Sequence, residues 1–234
     1  MWIFLLLASC TLQSTTDNNS SNTMGKDEKK VSEPLVEPQE QVSPRIIILG
    51  DSITAGMGLD VSLAYPALLE KDLQTLGYPT EILNAGQSGD TTAGGLRRVD
   101  WLLKQQPDLL IVELGANDGM RGIAIEEIEG NLNGIIDKIQ EKDIPVFLAD
   151  MYIPSNFGKD YTNDFHQLFA KIAQEQDIPL LPFPLEEVAG RPELNQSDGI
   201  HPTAAGHQRM AEVLLPDLKN WREKWTPSTI STAH

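Results

Sequence analysis

The chain has 234 residues, 40% hydrophobic and 22% charged, as expected for one soluble globular domain with additional terminal segments. Its 34 acidic and 18 basic residues give a formal net charge of −16. Nucleic acid is therefore not expected as a partner, because phosphate binding needs clustered lysine and arginine. The single cysteine, Cys10, excludes an internal disulfide bond.

The N-terminal stretch MWIFLLLASC is apolar but too short to span a bilayer as a helix. It resembles the end of a bacterial lipoprotein signal, where an apolar segment stops at two small residues and a cysteine. That resemblance implies that Cys10 becomes the lipidated first residue of the mature protein, anchored in the bacterial cell envelope on the periplasmic side. No basic residue precedes the apolar run, which departs from the usual signal. The alternative is a frayed apolar N-terminus on a protein without an anchor.

Residues 11–43 are rich in Ser, Thr, Asn, Pro and charged side chains and contain almost nothing to bury. This composition predicts a disordered linker. A flexible spacer after Cys10 is also what a membrane-anchored domain would need. The folded domain is predicted over residues 44–225, followed by a tail over 226–234.

From Arg45 onward, short apolar runs alternate with amphipathic stretches. Apolar runs without clean polar alternation are typical of strands buried on both faces of a parallel sheet. The predicted strands are RIIILG, TEILNAG, DLLIVELG, IPVFLADMY and IPLLPFP, and the predicted helices cover residues 62–76, 92–105, 126–141, 161–176 and 203–220. Five βα units with right-handed crossovers predict an α/β fold of three layers around a five-stranded parallel sheet.

Small and polar residues cluster where the predicted strands end. Gly50-Asp51-Ser52 follows the first strand, residues 84–90 the second and residues 115–119 the third, while residues 198–202 precede the last helix. In open parallel sheets, ligands bind beyond the carboxyl ends of the strands. The four clusters therefore predict one site at this edge of the sheet.

The residue types in these clusters match the needs of acyl transfer, which are a nucleophile, a base, a group that orients the base and donors for the oxyanion. Ser52 is the candidate nucleophile. His201 is the candidate base, and Asp198 precedes it closely enough to orient the imidazole in a tight turn. The candidate oxyanion donors are the backbone N–H groups of Ser52 and Gly89 and the side-chain amide of Asn117. This set needs no cofactor.

Other acidic residues near the predicted site have simpler expected roles. Asp51 is expected to accept backbone N–H groups, Asp90 and Thr91 to cap the following helix, and Asp118 to brace the turn that carries Asn117. The alternative is that a hard cation binds among these carboxylates. Its ligands would be Asp51, Asp118, Asp198 and His201, although nothing in their spacing requires a metal.

Apolar residues near the ends of the fourth and fifth strands are candidates to contact an acyl chain, with a place in the core as the alternative. They are Ile153, Pro154, Phe157, Leu180, Phe183 and Leu185.

Four sequence blocks, GDSITAG, NAGQSGDTT, GANDG and DGIHP, occur in this order and resemble the SGNH hydrolases, also called GDSL lipases and esterases. The stretches VELGANDGMRG, IPSNFGKDY and PFPLEEVAGRPELNQSDGIHP look like the branch that contains thioesterase I, lysophospholipase L1 and arylesterases. The resemblance covers about Arg45 to Leu218. It implies a flavodoxin-like strand order, the roles given above for the five candidate residues, no metal, and action on aryl or alkyl esters, lysophospholipids or acyl thioesters.

Two functions from other classes remain as alternatives. One is a lipid-anchored, flavodoxin-like ligand-binding module, because a loop of small residues after the first strand can bind phosphate at a helix N-terminus. However, the chain has neither a P-loop nor a GxGxxG motif, and such a module gives DGIHP no role. A degenerate hydrolase acting as a surface interaction protein is opposed by the complete set of catalytic residue types.

Overall fold

The computed structural model describes residues 43–227. The predicted lipoprotein signal, Cys10, residues 11–42 of the predicted linker and residues 228–234 of the tail lie outside the described residues. Expectations for those segments therefore stay predictions. Within the described range, no helix combines the length and the apolar character needed to cross a membrane.

Five parallel strands form one sheet in the order β2-β1-β3-β4-β5. Their bounds are β1 Arg45–Gly50, β2 Glu81–Gly86, β3 Leu109–Glu113, β4 Val146–Ala149 and β5 Leu180–Leu181. This is the expected flavodoxin-like order. The chain leaves β1 toward β2 on one side and later returns to β3 on the other side. The switch point, where such sheets bind ligands, therefore lies between the carboxyl ends of β1 and β3.

Seven α-helices connect the strands within the described range. They are α1 Ser52–Ala55, α2 Tyr65–Thr75, α3 Thr92–Leu103, α4 Ala116–Met120, α5 Ile125–Gln140, α6 Lys159–Glu175 and α7 Ala204–Lys224. Single turns of 3₁₀-helix cover Val61–Leu63 and Ser155–Phe157. The five long helices correspond to the predicted ones. The short α1 and α4 were not predicted, because one turn of helix is too short to show a hydrophobic period.

The sheet is covered on both faces, as the apolar strand sequences predicted. The side chains of Ile47 and Leu49 pack in one core with α3, α5 and α6, while those of Ile46 and Ile48 pack in a second core with α2 and α7. All four isoleucine and leucine side chains are fully buried. A central strand that is buried on both faces has no reason to alternate apolar and polar residues. The three-layer α/β/α prediction is confirmed.

The fifth strand is much shorter than its apolar run, with only Leu180 and Leu181 paired to β4. Pro179 and Pro182 flank this pair, and neither has a backbone N–H to donate to a ladder. An edge position tolerates this loss because one side of the strand needs no partner.

Candidate active site

Ser52 lies at the sharp turn that joins β1 to α1. Asp51 caps α1, with its Oδ1 accepting a hydrogen bond of 2.9 Å from the N–H of Ile53. Ser52 is the first residue of the helix and is 9% exposed. At Gly50, an added Cβ would collide with the side chains of Thr54 and Glu113. The turn is therefore built for close packing, and it places the hydroxyl of Ser52 at the switch point.

His201 and Asp198 reach Ser52 from the loop before α7. The Nε2 atom of His201 lies 2.9 Å from the Oγ of Ser52, and its Nδ1 lies 2.7 Å from the Oδ2 of Asp198. The Oδ1 of Asp198 accepts the backbone N–H groups of Ile200 at 2.9 Å and His201 at 3.0 Å. These backbone hydrogen bonds, followed by that of the imidazole, lower the pKa of Asp198 to about 2. The carboxylate is thus ionised, and an Nδ1–H donated to it leaves the Nε2 lone pair facing the serine.

Gln196 ties this loop to the segment after α1. Its backbone N–H donates to the carbonyl of His201 at 2.7 Å. Its side-chain Nε2 donates to the carbonyls of Met57 at 2.8 Å and Pro202 at 2.9 Å. Because Met57 lies two residues after the end of α1, these bonds help to set the distance between the histidine and the serine. The sequence analysis missed Gln196, since no motif marks a side chain whose partners are backbone carbonyls.

Asn117 lies in α4, after β3, and its amide reaches the Ser52 turn. Its Nδ2 donates to the Oδ2 of Asp51 at 3.0 Å. One carboxylate of Asp51 therefore caps α1 and also holds the Asn117 side chain. Burial raises the pKa of Asp51 to about 6, opposed by these hydrogen bonds. The expected hydrogen bond from a backbone N–H to Asp51 is confirmed.

Gly89 lies in a tight turn after β2 that also reaches this edge. The N–H of Asp90 donates to the carbonyl of Gln87 at 3.0 Å, and Gly89 has φ = +77°, as at the third position of a type II turn. Its carbonyl accepts from Nη2 of Arg121 at 3.1 Å. A Cβ at Gly89 would meet no close neighbour, so glycine is favoured here by the backbone angle rather than by space.

Asp90 and Thr91 were both predicted to cap α3, and only one of them does. Thr91 caps α3 by accepting the N–H of Gly94 at 3.2 Å, as expected. The expectation that Asp90 shares this role is wrong. Its Oδ1 accepts the N–H of Thr91, which precedes the helix, at 3.1 Å, and its Oδ2 pairs with the guanidinium of Arg98 at 2.7 Å, a stronger charged partner than a helix N–H.

Asp118 braces α4 through α3. It accepts the N–H of Thr92 at 2.9 Å and the hydroxyl of Thr92 at 2.7 Å. Its carboxylate is therefore directed at α3, while that of Asp198 is directed at His201. Between residues 43 and 227, no three His, Cys, Asp or Glu side chains are grouped so as to hold a metal ion.

Comparisons with known proteins identify the family. The model of the GDSL-like lipase/acylhydrolase family matches residues 48–209. The chain belongs to this family. Esterase TesA of Pseudomonas aeruginosa is 39% identical over 182 residues, which are 77% of this chain and 90% of that protein. Thioesterase 1/protease 1/lysophospholipase L1 of Escherichia coli K12 is 39% identical over 175 residues, covering 74% and 83%.

Solved structures agree with this assignment. The esterase EstA of Pseudoalteromonas sp., inhibited by monoethylphosphonate, aligns with a TM-score of 0.74 and 32% identity over 78% of this chain and all of that one. The crystal structure of TesA aligns with a TM-score of 0.72 and 40% identity, covering 75% and 98%. The GDSL-family chain is a carboxylic ester hydrolase, so neither non-catalytic alternative is needed.

The hydrolase also has a buried polar network beneath the Ser52 turn, which the sequence analysis missed. Glu113, the last residue of β3, accepts hydrogen bonds from the hydroxyls of Thr54 and, at 3.3 Å, Tyr65. The two hydroxyls lie 2.9 Å apart. Burial, with a contribution from the charge of Asp51, raises the pKa of Glu113 to about 8. An acidic residue ending the apolar strand LLIVE was the available signal.

We expect the free energy of unfolding of the Glu113→Gln variant to depend less on pH than that of the wild type. Above pH 6.5 the folded protein keeps the Glu113 proton that the unfolded chain has lost, so the wild-type free energy of unfolding falls as pH rises toward 8. While the two states differ by one bound proton, the free energy of unfolding falls by about 1.4 kcal/mol for each pH unit. Glutamine carries no charge, so urea unfolding between pH 6.5 and 8 should show a flatter profile for the variant.

The difference between the two proteins separates Glu113 from other buried groups. The pKa of Asp51 is raised to about 6 and that of His207 is lowered by burial to about 4, and both groups are present in wild type and variant, so the difference between the two slopes reports Glu113. Glu81→Gln, at a half-exposed residue of β2, is the control and should keep the wild-type slope. Equal slopes in wild type and Glu113→Gln would contradict a protonated Glu113.

The apolar candidates near β4 and β5 divide between core and surface. Ile153 is 7% exposed and belongs to the core beside α6, so its main role is packing. Phe157 and Leu185 also pack against the two cores. Phe183 packs against the first core as well, and it also contacts the half-exposed Tyr152, with ring centroids 4.9 Å apart. Tyr152 follows β4 and Phe183 follows β5, so both lie at the edge of the sheet where the strands end and Ser52 lies. Together they form an aromatic surface there, and Tyr152 was not among the predicted residues.

Proposed function

We propose that the hydrolase cleaves carboxylic esters through Ser52, His201 and Asp198. The observation that carries this proposal is the continuous hydrogen-bonded chain of 2.9 Å and 2.7 Å through the imidazole. Ser52 attacks the ester carbonyl while Nε2 of His201 takes its proton. Asp198 keeps the imidazole in the required tautomer and stabilises the imidazolium that forms.

The negative charge of the tetrahedral intermediate is stabilised by the N–H groups of Ser52 and Gly89 and by the amide of Asn117. Asn117 donates one of its two amide hydrogens to Asp51, which leaves the second for the oxyanion. Asp51 thereby orients an oxyanion donor and caps the helix that begins with Ser52. Losing one such donor typically costs about 2.7–4 kcal/mol of transition-state stabilisation.

In the later steps His201 acts first as a general acid and then again as a general base. The imidazolium of His201 protonates the leaving alcohol, and water then enters beside the acyl-enzyme. His201 takes a proton from this water, which attacks the acyl carbonyl, and returns the proton to Ser52 as the acid leaves. The residues of the chain supply every proton transfer.

The proposed substrates are aryl and alkyl esters, with lysophospholipids and acyl thioesters as further candidates. The relatives include the arylesterase of Vibrio mimicus, 37% identical over 179 residues, besides the thioesterase and lysophospholipase named above. The aromatic surface of Tyr152 and Phe183 supports substrates with an apolar group, because it lies at the same edge of the sheet as Ser52.

The test is to measure hydrolysis of p-nitrophenyl butyrate, lysophosphatidylcholine and palmitoyl-CoA by the hydrolase, before and after treatment with p-nitrophenyl ethylphosphonate. We expect ester hydrolysis to stop as one ethylphosphonyl group is added, and peptide mass spectrometry to place it on Ser52. Inactivation with the label on another residue, or no inactivation, would overturn the proposed mechanism.

We further propose that the enzyme is a lipoprotein of the bacterial cell envelope, anchored through Cys10. Support comes from the sequence alone, namely the apolar run that ends in Leu-Ala-Ser-Cys and the polar linker after it. One acyl chain binds a membrane marginally, so stable anchoring needs more than one. Expression in bacteria fed an alkyne fatty acid should label the wild type and not Cys10→Ala. An unlabelled wild-type chain would refute the anchor.

A further inference from the structure

Arg98 joins the ends of two strands and the turn that contains Gly89. It lies on α3, and its guanidinium donates to the carbonyls of Ala85 at 2.7 Å and Gly50 at 3.0 Å. Its Nε donates to Oδ2 of Asp90 at 2.7 Å. The side chains are 21% exposed for Arg98 and 6% exposed for Asp90. All three guanidinium nitrogens are thus engaged in a largely buried arrangement.

The partners of Arg98 flank two of the proposed oxyanion donors. Gly50 lies two residues before Ser52, and Asp90 directly follows Gly89. The N–H groups of Ser52 and Gly89 belong to different loops, so their separation depends on what connects the loops. The backbone supplies one direct link, from the N–H of Gln87 to the carbonyl of Gly50 at 3.0 Å.

Arg98 supplies the second link, and it is a rigid one. Within residues 43–227, it is the one side chain that hydrogen-bonds both the end of β1 and the turn with Gly89. A guanidinium presents its donors in a fixed planar fork, whereas a lysine ammonium is a point charge on a flexible stem. The fork therefore holds the carbonyl of Gly50 and the carboxylate of Asp90 at set positions relative to each other.

We propose that Arg98 is a positioning residue that fixes the spacing of the Ser52 and Gly89 N–H groups and so sets the strength of the oxyanion hole. This inference rests on the proposed function and adds a residue that does not touch the substrate. Its consequence is a specific kinetic defect. Displaced donors weaken binding of the tetrahedral intermediate more than binding of the ester, so kcat falls while KM changes little.

Arg45 offers a matched control at the opposite end of the same strands. Its guanidinium donates to Oε2 of Glu81 at 2.9 Å and to the carbonyl of Gln105 at 2.6 Å. It therefore also joins β1 to β2, but at the amino ends of the strands, away from Ser52. Arg98→Lys and Arg45→Lys make the same chemical change at the two ends of one strand pair.

The experiment compares kcat, KM and inhibition by butylboronic acid, whose tetrahedral adduct with a serine places an oxygen in the oxyanion hole. For Arg98→Lys we expect kcat for p-nitrophenyl butyrate to fall by about 10²-fold, the effect of a misplacement of about 1 Å. KM should stay within about threefold, and boronate affinity should fall by nearly the same factor as kcat/KM. Arg45→Lys should keep wild-type values of all three.

The outcomes separate this inference from the proposed function. A wild-type enzyme without ester hydrolysis or a Ser52 label refutes the proposed function itself. An active wild type with unchanged kcat in Arg98→Lys, or with equal kcat losses in both lysine variants, overturns the positioning role. If Arg98→Lys does not fold, Asp90→Asn decides, since it weakens the ion pair that links Arg98 to the Gly89 turn and leaves the bonds of Arg98 to Gly50 and Ala85 in place. It should lower kcat and boronate affinity together, and unchanged values would refute the inference.

Discussion

Replacement of Ser52 by alanine is expected to lower kcat for p-nitrophenyl butyrate by on the order of 10⁶-fold, the typical cost of removing a triad serine. The Oγ of Ser52 lies 2.9 Å from Nε2 of His201, so the substitution removes the hydroxyl of the proposed nucleophile. The cap of α1 depends on the Asp51 carboxylate instead, so the helix and the fold should persist. Steady-state kinetics with circular dichroism measure both.

The control for this substitution is Ser62→Ala. Ser62 lies in the 3₁₀ turn that follows α1, where its exposed hydroxyl donates to Oδ1 of Asp60 at 2.7 Å. This variant loses the next serine hydroxyl after Ser52 along the chain without touching His201, and we expect wild-type kcat. A folded Ser52→Ala protein with kcat within tenfold of wild type would show that the hydrolase uses a different nucleophile.

The residues closest to the proposed chemistry were predictable because their placement follows from local rules. Asp198 and His201 are three residues apart, and a tight turn brings their side chains to 2.7 Å. The contact between Ser52 and His201 spans 149 residues, yet it was expected because both follow buried strands or precede a helix at one edge of a parallel sheet. Buried strands fix that edge, and their apolar runs are visible in the sequence.

The supporting residues were not predictable, because their partners are carbonyls and carboxylates on distant elements. In the sequence, Arg98 is one of several charged residues on an amphipathic helix. Only the folded chain brings the carbonyls of Gly50 and Ala85 to its guanidinium. Asp90 illustrates the resulting error, since its position before α3 favours a helix cap while its Oδ2 pairs with Arg98, two turns into that helix. Glu113 ends an apolar strand, and the sequence does not show that Thr54 and Tyr65 are its partners. Residue patterns thus predict the groups of the proposed triad and oxyanion hole better than the residues that hold those groups in place.

Asp198→Asn is expected to lower kcat by up to about 10⁴-fold, the loss known for an asparagine at this position of a serine triad. The amide oxygen would keep accepting the N–H groups of Ile200 and His201, as Oδ1 of Asp198 does. The amide nitrogen then faces Nδ1 of His201, and because it is a donor, Nδ1 must accept. The ring proton moves to Nε2, which faces Ser52 and can no longer take its proton.

The matched control is Asp60→Asn, which makes the same change in a second exposed turn. Oδ1 of Asp60 accepts the N–H of Ser62 at 2.9 Å, and hydrogen bonds from Ser62 lower the pKa of Asp60 as backbone bonds lower that of Asp198. We expect Asp60→Asn to keep wild-type kcat. The side chain of Asp198 is 43% exposed, so water screens its charge, but screening does not change which atom donates. A kcat within threefold of wild type in Asp198→Asn would mean that another group sets the tautomer of His201, and Asp198 would then be a loop-forming residue rather than part of the triad.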